Sequence, residues 1–175
     1  MPRAITPTRT ALALTAAAAT AAIWGGTSWY AAANDDSAAF AKSRDEVLAA
    51  GEQGVQNLQT LDYRDIDDGL ATWESSATGD LLTELKGGRA DFEKQVKSAK
   101  SVTTAKVLSG AVTELDDRAG KASVMVAVRI TVDTAKEKPG SKESRILGEL
   151  TRTDDGWKLS ALSEAPVESA TGAGQ

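Results

Sequence analysis

The chain has 175 residues, with 20 basic and 25 acidic side chains, a net charge of −5, and neither cysteine nor histidine. Without cysteine there are no disulfides and no thiolate metal sites; without histidine the commonest general base and the commonest zinc ligand are gone. Two of the 20 basic residues, Arg3 and Arg9, precede the first hydrophobic segment, leaving 18 against 25 acidic residues, a net charge of about −7. That balance argues against nucleic acid or anionic headgroups as the main partner.

The segment from Thr10 to Asn34 carries no charged side chain. About twenty helical residues cross a hydrocarbon core of roughly 30 Å, and Ala11–Ala33 is long enough. Alanine dominates it, Leu12, Leu14 and Ile23 are its large aliphatics, and Trp24, Trp29 and Tyr30 sit late, where an interfacial belt belongs. Arginines before it and Asp35 and Asp36 after it predict a single-pass anchor in the cell membrane, with residues 1–10 cytoplasmic, 11–33 spanning and the rest outside. A signal peptide cut after Ala33, in the small run Ala31-Ala32-Ala33, is the competing reading and also exports the remainder. The exported domain is expected over residues 35–167, followed by a small, polar, disordered tail at 168–175.

Asp35–Leu61 reads as an amphipathic helix with Phe40, Val47, Gly51, Val55 and Leu58 on one stripe. Leu61-Asp62-Tyr63-Arg64-Asp65 breaks the pattern, and a second helix places Ile66, Leu70 and Trp73 on one face. A third helix starts at Thr78 or Asp80, with Leu81, Leu82 and Leu85 before Gly87-Gly88 and Phe92, Val96 and Ala99 after. Adjacent glycines cost about 1 kcal/mol each against alanine, so a kink or break is expected there.

From Ser101 the period changes to two. Thr103–Leu115 is the first strand, with Gly110 as its expected bulge. After the turn at Asp116–Gly120, Ala122, Val124, Val126, Val128, Ile130 and Val132 alternate along one face of the second strand. Lys136–Lys142 reads as a solvated loop, Arg145–Thr153 as a third strand, Asp154-Asp155-Gly156 as a tight turn and Trp157–Leu162 as a fourth strand. Three helices followed by four antiparallel strands make an α+β domain, with one face of a curved sheet wrapped on the first helix.

Tyr63 with Asp62 or Asp65 is the one cluster suited to acid–base chemistry, for example proton abstraction beside a carbonyl. The alternative is structural: a helix-ending turn with Tyr63 packed on the core and the aspartates capping. The carboxylates Asp62, Asp65, Asp67 and Asp68 do not make an EF-hand loop, because position twelve from Asp62 is Trp73 rather than glutamate. No metal or cofactor is expected. Tyr63, Trp73 and Trp157 are the candidate pocket residues, although large aromatics in a small domain are usually core. Met125 and Ala127, on the outer face of the second strand, and Leu147, if the next strand pairs in register, make a candidate interface.

The order of parts resembles the Mce-associated membrane proteins of actinobacteria. The residues that carry the resemblance are the Ala-rich span, the helix ending Asn57-Leu58-Gln59-Thr60-Leu61-Asp62-Tyr63-Arg64, the Ala77-Thr78-Gly79 helix start, Val124-Met125-Val126-Ala127-Val128 and the closing Asp155-Gly156-Trp157-Lys158-Leu159. It covers roughly Thr10 to Pro166. It implies an NTF2-like (SnoaL-like) cone, similar also to the periplasmic domain of VirB8-type secretion proteins. It further implies a non-catalytic accessory or scaffold role beside Mce-type lipid-import subunits or related envelope proteins, with self-association into a homo-oligomer also open. The family supplies no catalytic residues. A SnoaL-like binding domain or isomerase or cyclase, using Tyr63 and Asp62 or Asp65, is the alternative; a VirB8-like secretion assembly factor is another.

Mass spectrometry of the protein purified from membranes should return an N-terminus that precedes the span. A mature chain starting at Asn34 would instead identify a secreted domain.

Overall fold

The computed structural model describes residues 36–135 and 138–165. The expected span at 11–33, the tail at 168–175 and part of the Lys136–Lys142 loop lie outside the described residues. Among the described residues no helix is long and apolar enough to cross a membrane. The chain divides into two compact units, residues 1–42 and 43–175.

Helix α1 is Asp36–Leu58, followed by strand β1 (Leu61–Asp62), a 3-10 turn at Tyr63–Asp65, α2 (Ile66–Ser76) and α3 (Gly79–Ala99). Four long strands complete the domain: β2 (Val102–Asp116), β3 (Lys121–Asp133), β4 (Gly140–Thr153) and β5 (Gly156–Glu164). All five strands join one sheet in the order β1-β2-β3-β4-β5, and every neighbouring pair is antiparallel. The domain is therefore the expected α+β arrangement of three helices and an antiparallel sheet, with five strands rather than four.

The extra strand comes from the break after α1. Leu61 pairs with Thr103 and Asp62 with Val102, so sheet hydrogen bonding ends the helix at Leu58 rather than Leu61. Two residues are too few for period-two alternation to register. β4 begins at Gly140, ahead of the expected Arg145, because pairing with β3 runs from Val132↔Gly140 and satisfies the backbone whatever the side chains. In α3 the expected break at Gly87-Gly88 does not occur; the helix is continuous. Leu81 and Leu85 before the pair and Val96 after it all pack on the core, and that burial outweighs the glycine cost.

The core lies between α1 and the inner face of the sheet. Val47, Val55 and Leu58 pack with Ala122, Val124, Val126, Val128, Ile130, Ile146, Leu150 and Leu159. Val47, Val55, Val124, Val126, Val128 and Leu159 are fully excluded from solvent. A Cβ built on Gly51 would stand 2.8 Å from Val124 Cγ2, and one on Gly54 would stand 2.7 Å from Leu159 Cδ1. On the sheet side, one on Gly148 would meet Leu159 at 2.9 Å. Three missing side chains let the helix settle directly on the strands.

The ends of the two apolar stripes depart from expectation. Phe40, in the first compact unit, is 53% exposed, and Val132 is 37% exposed. Val132 pairs with Thr103 and Gly140 near the end of the sheet, beyond the rows whose inner faces form the core. The bulges also fall elsewhere. Gly110 is regularly paired with Val126, and the register shifts lie at Leu108 and Thr113 in β2 and at Ser160 in β5. Each inserts one unpaired residue and adds local bend, which is how the sheet curves around α1. Gly110 instead makes room for a side chain of the helix, since a Cβ there would stand 2.5 Å from Glu52 Oε1 of α1.

Replacing Val126 with aspartate puts an unpaired carboxylate into this core and should cost on the order of 3–5 kcal/mol. Met125→Asp, one residue along and on the outer face, should cost far less. Equal shifts of the two denaturation midpoints would contradict the assignment of faces.

Candidate functional surfaces

The Tyr63 turn is held together by its own polar groups. Asp62 Oδ1 accepts from the Arg64 backbone N–H at 2.9 Å and from Arg64 Nε at 2.9 Å, while Oδ2 accepts from Nη2 at 2.6 Å. These bonds to the Arg64 side chain and backbone hold the Asp62 carboxyl below its ordinary range. A carboxylate acidified in this way is a poor base. The Tyr63 N–H donates to Ser101 O at 3.1 Å, and the ring packs against the cluster of Leu61, Ile66, Leu70 and Val96. Asp65 is exposed. Among the described residues no group of acidic side chains converges as a metal site.

Trp73 packs against the same cluster and also lines a groove between α2, α3 and the end of β5. The groove holds a cavity of about 430 Å3, walled by Leu70, Trp73, Leu81, Leu85, Phe92 and Leu162, with Glu74, Glu84 and Arg89 also on its lining. The rings of Trp73 and Phe92 are 5.2 Å apart and tilted at 42°. Trp73 Nε1 donates to Thr60 O at 3.0 Å, which fixes the indole over the end of α1. Arg89 bridges Glu74 (2.7 Å) and Asp67 (3.2 Å) along the rim. The three candidate pocket residues therefore do not share this cavity: Trp73 lines it, and Tyr63 and Trp157 do not, although Trp73 packs on one core cluster with Tyr63 and on the other with Trp157. The helical spacing of Leu81, Leu85 and Phe92 carried the signal for this wall, but it is equally the signal of a core stripe.

Trp157 stands at the start of β5 opposite Arg152, whose guanidinium lies 4.7 Å from the indole centroid. Arg152 Nη2 pairs with the Asp117 carboxylate and donates to Ser43 Oγ at 3.2 Å, and Ser43 Oγ donates in turn to Asp117. This clamp joins α1, the β2–β3 turn and β4. Ser43 is 8% exposed, the one buried polar residue of the described core. No sequence pattern could have found it, because its members lie far apart in the chain.

The outer face of the sheet carries the candidate interface. Met125 pairs directly with Leu147, as the expected register requires, and with Ala111 on the other side. Ala127 pairs with Ser109 and Arg145 in the next row. Met125 is 36% exposed, Ala111 is exposed, and Ala127 and Leu147 are half-buried. Arg129 and Glu143, paired at 2.6 Å, border the patch on one side, and Lys121, bonded to Thr151 at 2.8 Å, borders it on the other.

A curved antiparallel sheet closed on one long helix, with two further helices at its end, is the fold of VirB8/NTF2-like domains. An IcmL-like type IV secretion system protein from Legionella pneumophila superposes with a TM-score of 0.58 at 10% identity, over 74% of this chain and 97% of that one. The periplasmic domain of DotI matches with a TM-score of 0.57 at 17% identity, over 69% of this chain and 94% of that one. The Agrobacterium tumefaciens VirB8 protein matches with a TM-score of 0.55 at 8% identity, over 73% and 96%. Such low identities establish the fold alone.

Sequence places the chain more narrowly: it belongs to the family described as uncharacterized protein Rv1363c/MT1408-like, whose model matches residues 9–166. Uncharacterized protein Rv1363c of Mycobacterium tuberculosis is 27% identical over 164 residues, which is 91% of this chain and 61% of that protein. The chain thus spans about three fifths of the length of this relative.

The clamp makes acid stability a test of the structure. The hydrogen bond from Ser43 and then the bond from Arg152 lower the Asp117 pKa in the folded state. The unfolded chain then binds that proton more readily, so the stability Asp117 contributes is complete above its ordinary value, about 4. It is lost as the pH falls through the lower folded value. Asp117→Asn should weaken the protein at neutral pH and flatten its loss of stability below about pH 4, read as denaturation midpoint against pH.

Proposed function

We propose that the protein is a non-catalytic subunit of the cell envelope, anchored by residues 11–33, whose exported domain binds neighbouring envelope proteins through the outer face of its sheet. The observation that carries this reading is the close seating of α1: Gly51 and Gly54 rest on Val124 and Leu159, which leaves no room for a substrate between the middle of that helix and the strands. The residues suited to acid–base work support it too, since Asp62 is bound to Arg64 and Tyr63 is packed on a core cluster. The shared fold with secretion-system proteins and with the periplasmic domain of DotI is in keeping with a role in assembly. The resemblance to Mce-associated proteins supports, as the finer reading, an Mce-type lipid importer as the complex served. A tether holds the domain close to such partners, so even a weak contact suffices.

The groove beside Trp73 favours a second reading, a binding module for a small apolar molecule. Its volume of about 430 Å3 and its aromatic wall fall within the range of ligand sites.

Affinity capture from detergent-solubilised membranes distinguishes these readings. Wild type and Tyr63→Phe should recover the same envelope proteins, and a Met125→Lys, Leu147→Lys double variant should lose them. Equal recovery by the double variant would remove the outer face from the proposal. Transporter subunits among the proteins recovered would identify an importer, and secretion components a VirB8-like role. Recovery of no envelope protein by wild type would overturn the scaffold reading and leave the groove.

A further inference from the structure

The two edges of the sheet are finished differently. On the β5 side the α2–α3 connection covers the strand: Ala77 bridges Leu159, and the Thr78 N–H donates to Leu159 O at 2.8 Å. On the β2 side, β1 covers Val102 and Thr103, and Thr60 Oγ1 accepts from the Ala105 N–H at 3.1 Å. From Lys106 to Asp116 nothing among the described residues pairs with that edge. Leu108 on this run is 42% exposed. An unpaired edge of this length offers a row of backbone donors and acceptors to another strand.

We propose that the free edge of β2 is a self-association site, at which two copies of this chain pair antiparallel about a twofold axis at Gly110 and join their sheets into one. Native edges are commonly blunted by proline or by charge. β2 contains no proline, and its free run carries Lys106 and Glu114, placed symmetrically about Gly110, with Asp116 at its end. Asp116 is already engaged, accepting from the Arg118 and Ala119 backbone N–H groups in the turn. A twofold pairing centred on Gly110 sets Lys106 of each copy opposite Glu114 of the other, giving two cross-strand ion pairs from a single register. A slip of the register loses both.

The local geometry suits such a pairing. Both side chains belong to the outer face, since Lys106 pairs with the outward Arg129 and Glu114 with the outward Ser123. The bulges at Leu108 and Thr113 bracket a regular segment, Ser109–Val112, in which pairing with β3 is uninterrupted. That segment would form the centre of the new ladder. Gly110 has no side chain there, and its inner side is already occupied by Glu52. The axis would also bring the Ala111–Met125–Leu147 rows of the two copies into neighbouring rows of one continuous outer face. Joined isologously, the edges close on each other and leave no open end for fibre growth.

The absence of cysteine makes the register directly testable in the full-length protein in detergent. Lys106→Cys and Glu114→Cys chains, purified separately and then mixed under oxidising conditions, should form a disulfide dimer. Neither variant alone should do so, because in this register like positions are separated by roughly 20 Å along the strand, far beyond disulfide reach. In sedimentation, Lys106→Glu or Glu114→Lys should weaken self-association about tenfold or more, since each sets like charges opposite one another twice. The double variant Lys106→Glu, Glu114→Lys should restore wild-type association, which also shows that the substituted edge still folds. Cross-linking of like variants as efficient as that of the mixture, a double variant no better than the singles, or a wild type that remains monomeric would each overturn the proposal.

Discussion

The seating of one helix on a bare stretch of sheet sets most of what this domain is. Gly51 and Gly54 bring the α1 backbone against Val124 and Leu159, and Gly148 removes the side chain that would hold them apart. Close approach of this kind gives dense packing and makes the site intolerant of even one added methyl group. It also requires the strands to bend around the helix, which the displaced residues Leu108, Thr113 and Ser160 allow. With the middle of α1 seated on the strands, open space lies around that contact: in the groove beside Trp73, beside Leu58 and Leu61 at the end of α1, by the β2–β3 turn and on the outer face of the sheet.

The parts of this arrangement legible from sequence are those with a long uninterrupted period. The β3 alternation identified the buried face from Ala122 to Ile130, though not Val132, and Val47, Val55 and Leu58 were correctly matched to it. Helices α2 and α3 and strands β2 and β5 fell within a few residues of their observed limits. What failed was short or depended on distant parts of the chain. β1 is two residues long and exists because Val102 and Thr103 lie beside it. Gly110 looked like a bulge by composition, whereas its lack of a side chain serves contact with Glu52. Gly87 and Gly88 looked like a helix break, yet neither would bring a Cβ within 4 Å of any neighbour, and α3 is held by the packing on either side. Among the candidate site residues, aromatic identity alone could not separate Tyr63, packed on a core cluster, from Trp73, which packs on that cluster and lines a cavity as well.

The charges of the domain act mainly to fix local geometry. Asp62 closes the Tyr63 turn on Arg64, Arg89 ties α3 to α2 through Glu74 and Asp67, and Arg152 ties β4 to the β2–β3 turn through Asp117. Exposed pairs of this kind contribute little each, roughly 0–1 kcal/mol, so their effect is to orient more than to stabilise. Ser43 is the exception in kind: a buried hydroxyl that both donates to Asp117 and accepts from Arg152 cannot be replaced by an apolar group without leaving that clamp incomplete.

A fold that serves enzymes, binding modules and scaffolds alike decides nothing until its interior and its surfaces are read separately. A catalytic cone needs a chamber under the helix, with a base of raised pKa and a donor converging on one point. In this chain Gly51 and Gly54 seat the middle of α1 directly on the strands, and the Asp62 carboxyl, next to Tyr63 in the chain, is held acidic by Arg64. The chain's surface offers an apolar row across β2, β3 and β4, an aromatic groove and, among the described residues, an unpaired strand edge. A free edge is a hazard in a domain that diffuses at will, because any exposed strand can add to it. On a domain anchored as proposed, the same edge would meet a limited set of neighbours at high effective concentration, which lets weak, register-specific pairing become selective association.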